Sequence, residues 1–279
     1  MIKQYTKNSG FTLIELMISM LITSIVLSAV FNLFINNSLS YNLQQSIASI
    51  QEEGRYASQS LSQSFMLAGY SETNLAQPAI RIRGADGANL ISVKRKEANA
   101  AGQKGGGEQY TINGKGKMNN FDQVVLLLTD GENCAGNDIW PAPSGSSHWK
   151  YIYVNDKFQL ICADSAGNNE QITSRVEAFQ IQYGIDTNAS GEVGFHQPNT
   201  YVSLPDHTQR IVAIRFAILL KSNSSTRTPQ EFPKNYRMSV LDRNFKNGTG
   251  YNKIDFNDGH LRRLFFSSVK LRNGDLNSF

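Results

Sequence analysis

Glu15 is the residue whose chemistry is hardest to reconcile with its surroundings. It stands inside residues 11–35, FTLIELMISMLITSIVLSAVFNLFI, and the next charge along the chain is Glu52. A carboxylate in a hydrocarbon environment costs roughly 2.5–3.5 kcal/mol on insertion scales, and such a group usually has a partner within the membrane. A partner for this carboxylate within the membrane is therefore expected. The remaining reactive groups form no familiar constellation. His148, His196, His207 and His260 give no HExxH or HxH spacing, so a zinc hydrolase has no basis. Cys134 and Cys162 are too few for a four-cysteine zinc site and are not spaced as CxxC. The GGG at 105–107 does not fit GxxxxGK[ST], which removes a phosphate loop. Asp186, Asn188 and Ser190 put oxygen-bearing side chains at positions 1, 3 and 5 of a calcium-type loop, with Gly191 at position 6. Position 12 is Gln197 and not the bidentate glutamate, so a polar hairpin turn is the preferred reading. No catalytic residue, resident metal or cofactor is expected.

The elements that must position Glu15 follow from the apolar pattern. A helix over 11–35 is about 37 Å long, enough to cross a hydrocarbon core of about 30 Å. Lys3 and Lys7 precede it, so the positive-inside rule puts the N-terminus in the cytoplasm and the rest outside. The run is longer than the apolar core of an ordinary signal peptide. A plain uncleaved anchor, in turn, has no use for Glu15. Proline is absent before Pro78, and Leu43, Ile47, Ile50, Gly54, Ala57, Leu61, Phe65 and Ala68 step by three or four residues. The spacing predicts one helix from Phe11 to about Ala68, capped near Gly69, whose second half packs on a globular head.

Beyond it lies a soluble-type composition with several strand candidates. These are 121–129, 149–154 and 157–162 joined at Asn155-Asp156, 177–186, 210–221 and 261–273. Phe179, Ile181, Tyr183 and Ile185 alternate with Gln180, Gln182 and Gly184, as in a half-buried strand. Val212, Ile214, Phe216, Ile218 and Leu220 share one strand face, and Phe216 and Phe266 fall at positions the period-2 pattern assigns to a core. One long helix followed by strands indicates an α+β fold with a mostly antiparallel sheet. Residues 209–279 hold 13 Lys and Arg against 5 Asp and Glu. The basic positions are spread over separate strands, which fits a solvated sheet face better than a nucleic-acid stripe.

The string Gly10-Phe11-Thr12-Leu13-Ile14-Glu15, after a polar leader and before a long apolar run, closely resembles the class III signal of type IV prepilins and pseudopilins. The resemblance implies removal of residues 1–10 by prepilin peptidase, cleavage between Gly10 and Phe11, and N-methylation of Phe11. It implies that Glu15 pairs with the Phe11 amine of a neighbouring subunit. The glycine-Arg-aromatic-Ala run at 54–57, the Ala-Gly-Tyr at 68–70, the strand end at 183–186, the strand at 213–220 and Val269 to Asn273 resemble PilW-type minor pilins. That resemblance implies a type IV pilin-like fold, with a cleaved leader (1–10), a filament-core helix (11–35), its amphipathic continuation (36–69) and a β-rich periplasmic head (70–279). It further implies a low-copy, non-enzymatic subunit that helps initiate pilus assembly. Its partners would be other minor pilins, the major pilin, prepilin peptidase and the inner-membrane assembly machinery. A minor pseudopilin of a type II secretion system and a tip adhesin or DNA-capturing pilin are the alternatives. With the head in an oxidising compartment, Cys134 and Cys162 are expected to form a disulfide that pins a loop to the sheet.

Overall fold

The computed structural model describes residues 10–68, 91–92, 121–122, 124–128, 131–138, 148–164, 166–187, 198–203, 210–225, 232–249 and 253–271. The expected cap at Gly69 and the candidate loop residues Asn188 and Ser190 lie outside them, as do Arg272 and Asn273. The chain divides into two compact units, Met1–Gln45 and Ser46–Phe279.

Helix α1 (Leu13–Met66) begins in the first unit and ends in the second. Its start is written in TLIE. Thr12 Oγ1 accepts from Glu15 N–H at 3.4 Å, while Glu15 Oε2 accepts from Thr12 N–H at 3.0 Å and from Thr12 Oγ1 at 2.9 Å. This is a capping box, which satisfies backbone donors that a helix start otherwise leaves open. Within the first unit the apolar side chains are exposed all round the helix, from Leu13 to Leu39. Its polar residues bond back onto their own backbone. Ser19 Oγ donates to Glu15 O at 2.5 Å, Thr23 Oγ1 to Ser19 O at 2.7 Å, and Asn32 Nδ2 to Ser28 O at 3.0 Å. Polar groups satisfied in this way are far less costly to place in hydrocarbon. The helix is long and apolar enough to cross a membrane.

In the second unit, α1 buries Ile50, Gly54, Ala57, Leu61 and Phe65, and the stripe continues to Ala68. Leu43 is only half-buried and Ile47 is 39% exposed, so the buried face starts at Ile50, about two turns later than the spacing predicts. The strands are β1 (Ile91–Ser92), β2 (Val124–Leu128), β3 (His148–Val154), β4 (Leu160–Asp164), β5 (Asn169–Thr173), β6 (Val176–Asp186), β7 (Thr200–Val202), β8 (Arg210–Lys221), β9 (Arg237–Val240), β10 (Arg243–Asn247), β11 (Lys253–Ile254) and β12 (Arg262–Lys270). They make a five-stranded sheet in the order β1-β2-β3-β4-β5, a four-stranded sheet β12-β8-β6-β7 and a three-stranded sheet β11-β10-β9. All described pairs are antiparallel except β10 with β11. The fold is therefore α+β, as expected.

The main core lies between α1 and the four-stranded sheet. Phe65 meets Phe216 edge-on at 5.3 Å between ring centroids, with Leu61, Ile181, Tyr183, Ile214 and Ile218 around them, and the same core takes in Val124, Leu126, Ile152 and Leu160 of the five-stranded sheet. A second cluster joins the opposite face of that sheet, through Ala178, Ala217 and Leu219, to Val240, Phe245, Ile254 and Phe256 of the small sheet and its flank. Two sequence expectations are corrected here. The strand at 177–186 is buried on both faces, and Gln180 is fully buried. β8 is likewise buried on both faces, which is why it reads as a nearly continuous apolar run. The turn between β3 and β4 falls at Asn155-Asp156 as predicted, with Asn155 Oδ1 accepting from Lys157 N–H and Gln159 N–H at 3.0 Å each.

Asp122 joins the sheets. Its N–H donates to Phe179 O at 2.7 Å, and its Oδ2 accepts from Ile181 N–H at 2.8 Å, so it takes the place of a strand beside β6. Burial raises its carboxyl to about 7, and Arg243 Nη2 at 3.4 Å offsets this only in part. The folded state thus holds a proton that the unfolded chain loses near pH 4. This contribution to stability is full below pH 4 and is lost as pH rises through about 7. Stability from urea unfolding should fall between about pH 4 and 7, and Asp122→Asn should flatten the fall. An unchanged slope in the variant would assign it to another group.

Candidate assembly site

Glu15, Thr12 and the exposed residues Gly10 and Phe11 form the first part of the site. Both capping contacts fall on one oxygen of Glu15. The other, Oε1, accepts no hydrogen bond from the described residues. The sequence reading assigned Glu15 a partner on another chain and missed its hold on Thr12. The signal was present, because Thr12-Leu13-Ile14-Glu15 has the [ST]-x-x-E pattern of a capping box. One oxygen can hold the helix start while the other stays open to an amine.

In the second unit, the C-terminal half of α1 packs on the strands. Gly54 lets Phe265 of β12 approach the helix. A Cβ at that position would sit 2.1 Å from Phe265 Cε2 and Cζ. Three residues are tied to Glu53 here: Arg175 in a salt bridge, Thr173 Oγ1 at 3.3 Å and Ser49 Oγ at 3.1 Å. The glycine-Arg-aromatic-Ala run at 54–57 thus has a packing reason for its glycine, while Arg55 and Tyr56 stay exposed.

Cys134 and Cys162 are joined, with Cα atoms 5.7 Å apart. The bridge fastens the 131–138 loop to β4. Asp164 reinforces it by accepting from Cys134 N–H at 2.9 Å, Ala166 N–H at 2.9 Å and Asn168 N–H at 3.0 Å. Those donors, with the Asn168 side chain, outweigh burial and hold the Asp164 carboxyl below its usual range. Replacing both cysteines by serine should lower the unfolding free energy by roughly 3.5 kcal/mol, from the entropy of the loop of about 29 residues that the bridge closes. Unchanged stability in chemical denaturation would mean that the loop is held without it.

Several basic residues of the C-terminal third are already engaged. Arg262 is bidentate to Glu177 at 2.5 and 2.9 Å and to Asp258 at 2.8 Å on both oxygens, and also donates to Asp255 O at 2.6 Å. Burial opposes ionisation of Asp258, but Arg262, the His260 N–H and Lys221 outweigh it and bring the carboxyl to about 2. Lys221 lies 3.7 Å from Glu177 and 3.5 Å from Asp258. Phe266 is a correction: it is 55% exposed, and Phe265 takes the inward place. Two adjacent phenylalanines alternate faces, and period alone does not say which face the helix covers. The candidate calcium loop contributes only Asp186 and Thr187 to the described residues. Among those residues no cluster of His, Cys, Asp and Glu has the makings of a metal site.

Residues 5–31 match the prokaryotic N-terminal methylation motif. Residues 153–273 match the type IV pilus-assembly protein W family, and the two matches together support a PilW-like type IV minor pilin with a membrane-associated N-terminal helix. No curated protein matches the chain. Among solved structures, the type IV-like pilin TTHA1219 from Thermus thermophilus is similar at 14% identity, covering 81% of this chain and 98% of its own, with a TM-score of 0.41.

Proposed function

We propose that the chain is a low-copy structural subunit that helps initiate type IV pilus assembly and sits at or near the pilus tip. The observation that carries this reading is the pairing of a methylation motif over 5–31 with a PilW match over 153–273. In this reading the N-terminus faces the cytoplasm and the head the periplasm. Prepilin peptidase cuts between Gly10 and Phe11, and Phe11 is N-methylated. Glu15 then accepts the Phe11 amine of a neighbouring pilin through the oxygen its capping box leaves open. Neutralising two charges that are each costly in an apolar bundle favours assembly over the separate subunits. The partners are other minor pilins, the major pilin and the inner-membrane assembly machinery, and the role is structural.

Deleting the gene tests the role. Loss of surface pili and twitching supports it, while loss of secreted hydrolases with pili intact would assign the chain to a type II secretion system. The adhesin or DNA-capturing alternative rests on the basic C-terminal third. Internal pairing of Arg262, Arg243 and Lys221 argues against it. A gel shift at about 150 mM salt should show only weak DNA binding. Submicromolar binding lost on charge reversal of Arg263 would favour DNA capture.

A further inference from the structure

β12 is an edge of the four-stranded sheet. Leu271 N–H donates to Val212 O at 2.9 Å and Ser222 N–H to Leu261 O at 2.8 Å, which fixes the odd-numbered residues as those that bond to β8. The backbone N–H and C=O of Leu264, Phe266 and Ser268 therefore point off the sheet, and no described strand pairs with them. Natural edges are usually blunted by charge, proline or a bulge. Leu264 to Ser268 has none of these, and its register with β8 is unbroken. The flanking arginines do not guard it. Arg262 is turned into Glu177 and Asp258, and Arg263 lies over Phe265. On the face shared by the outward residues, Leu264 is 37% and Phe266 55% exposed.

Arg215 of β8, opposite Ser268 in register, stands beside this edge. Its guanidinium is stacked 3.6 Å over the Tyr201 ring and lies 5.6 Å from the Phe266 ring. Gly184 makes room for Tyr201, since a Cβ there would come 3.0 Å from Tyr201 Cε1, and the Tyr201 hydroxyl meets Ser268 Oγ at 3.2 Å. The arginine is thus held flat. Its Nε is buried without a hydrogen-bond partner, and no described carboxylate or carbonyl accepts from the group. Buried donors are almost always satisfied, and a fixed guanidinium fork matches a carboxylate in two parallel bonds.

We propose that the free edge of β12 and the adjacent Arg215 receive an extended, carboxylate-bearing strand of another polypeptide. Its backbone pairs with residues 264–268, an apolar side chain lies on Leu264 and Phe266, and a glutamate or aspartate reaches Arg215. Charge decides the occupant. Arg215 and Arg263 flank the edge with no carboxylate partner among the described residues, so a second β12, carrying the same arginines, would bring like charge, whereas an acidic strand completes it. The inference concerns the head alone and stands apart from the assembly role.

The test uses the full-length chain in detergent micelles and a fluorescent peptide of alternating valine and glutamate matched in length to β12. Binding by anisotropy should be measurable below about 1 mM. It should weaken about tenfold or more for an alternating valine-lysine peptide, for the glutamate peptide N-methylated at every second amide, and for Arg215→Gln. Arg215→Lys should restore it only in part, because an ammonium lacks the fork. Phe266→Ser, at an exposed site that folding tolerates, should weaken it as well. No binding, equal binding of the two charge forms, or indifference to N-methylation would overturn the proposal. A concentration-dependent dimer of the chain abolished by Phe266→Lys would also overturn it, by giving the edge to a second copy.

Discussion

Glu15→Leu should leave the chain inserted and folded and remove it from pilin complexes. Leucine is far easier to place in hydrocarbon than a carboxylate, so insertion should improve. The capping box would be lost, at a cost of about 1 kcal/mol confined to the first turn of α1. The head core begins at Ile50 and does not involve residue 15. On the proposed reading, what disappears is the acceptor for the neighbour's amine. An unpaired charge left in an apolar site costs about 3–5 kcal/mol, so recovery of partner pilins should drop about a hundredfold or more. Thr12→Ala separates the two roles of the carboxylate. It removes the hydroxyl of the capping box and keeps the pairing oxygens, so co-purification should survive. Normal complex formation by Glu15→Leu would show that the carboxylate serves only as a cap.

Arg262→Met should be the most damaging substitution in the head. The Arg262 side chain is 7% exposed and is the shared partner of Glu177 and Asp258. It ties β12 to the 255–261 segment and to the strand that α1 packs against. Methionine keeps much of the volume but leaves two carboxylates without their cation, and breaking such a pair by removing one partner costs about 3–5 kcal/mol. The pH dependence carries a signature. The Asp258 carboxyl is depressed to about 2, so its stabilisation is present above about pH 4 and is lost as pH falls towards 2. The wild-type protein should lose stability over that interval, and Arg262→Met should show much less of the loss. A variant as stable as wild type at pH 7 would mean that Lys221 alone can hold the cluster.

How far the sequence revealed this molecule depends on the range of the interaction. The helix start, its apolar span and the turn at Asn155 are local, and the residues that make them are neighbours in the chain. The Glu15 capping box was equally local and was overlooked because the carboxylate had a more distant role to fill. The alternation of 177–186 identified a strand and the wrong exposure for Gln180. Burial of its second face depends on β9 to β11, which lie more than fifty residues away. The same holds for Phe266, since only the position of α1 decides which of two adjacent phenylalanines turns inward. Arg262 looked like one of several dispersed cations. Its partner Glu177 is 85 residues distant, and no spacing rule reaches so far. Gly54 was legible as a small residue on a packed face, while its contact with Phe265 was not.

On the proposed reading, processing removes only residues 1–10 and leaves the N-terminal helix in place. N-terminal mass spectrometry of the protein purified from its native host measures this directly. The mature chain should begin at N-methylated Phe11, and the full-length chain should accumulate in Gly10→Val. A mature protein that starts at Met1, or at any residue beyond the apolar span, would contradict it.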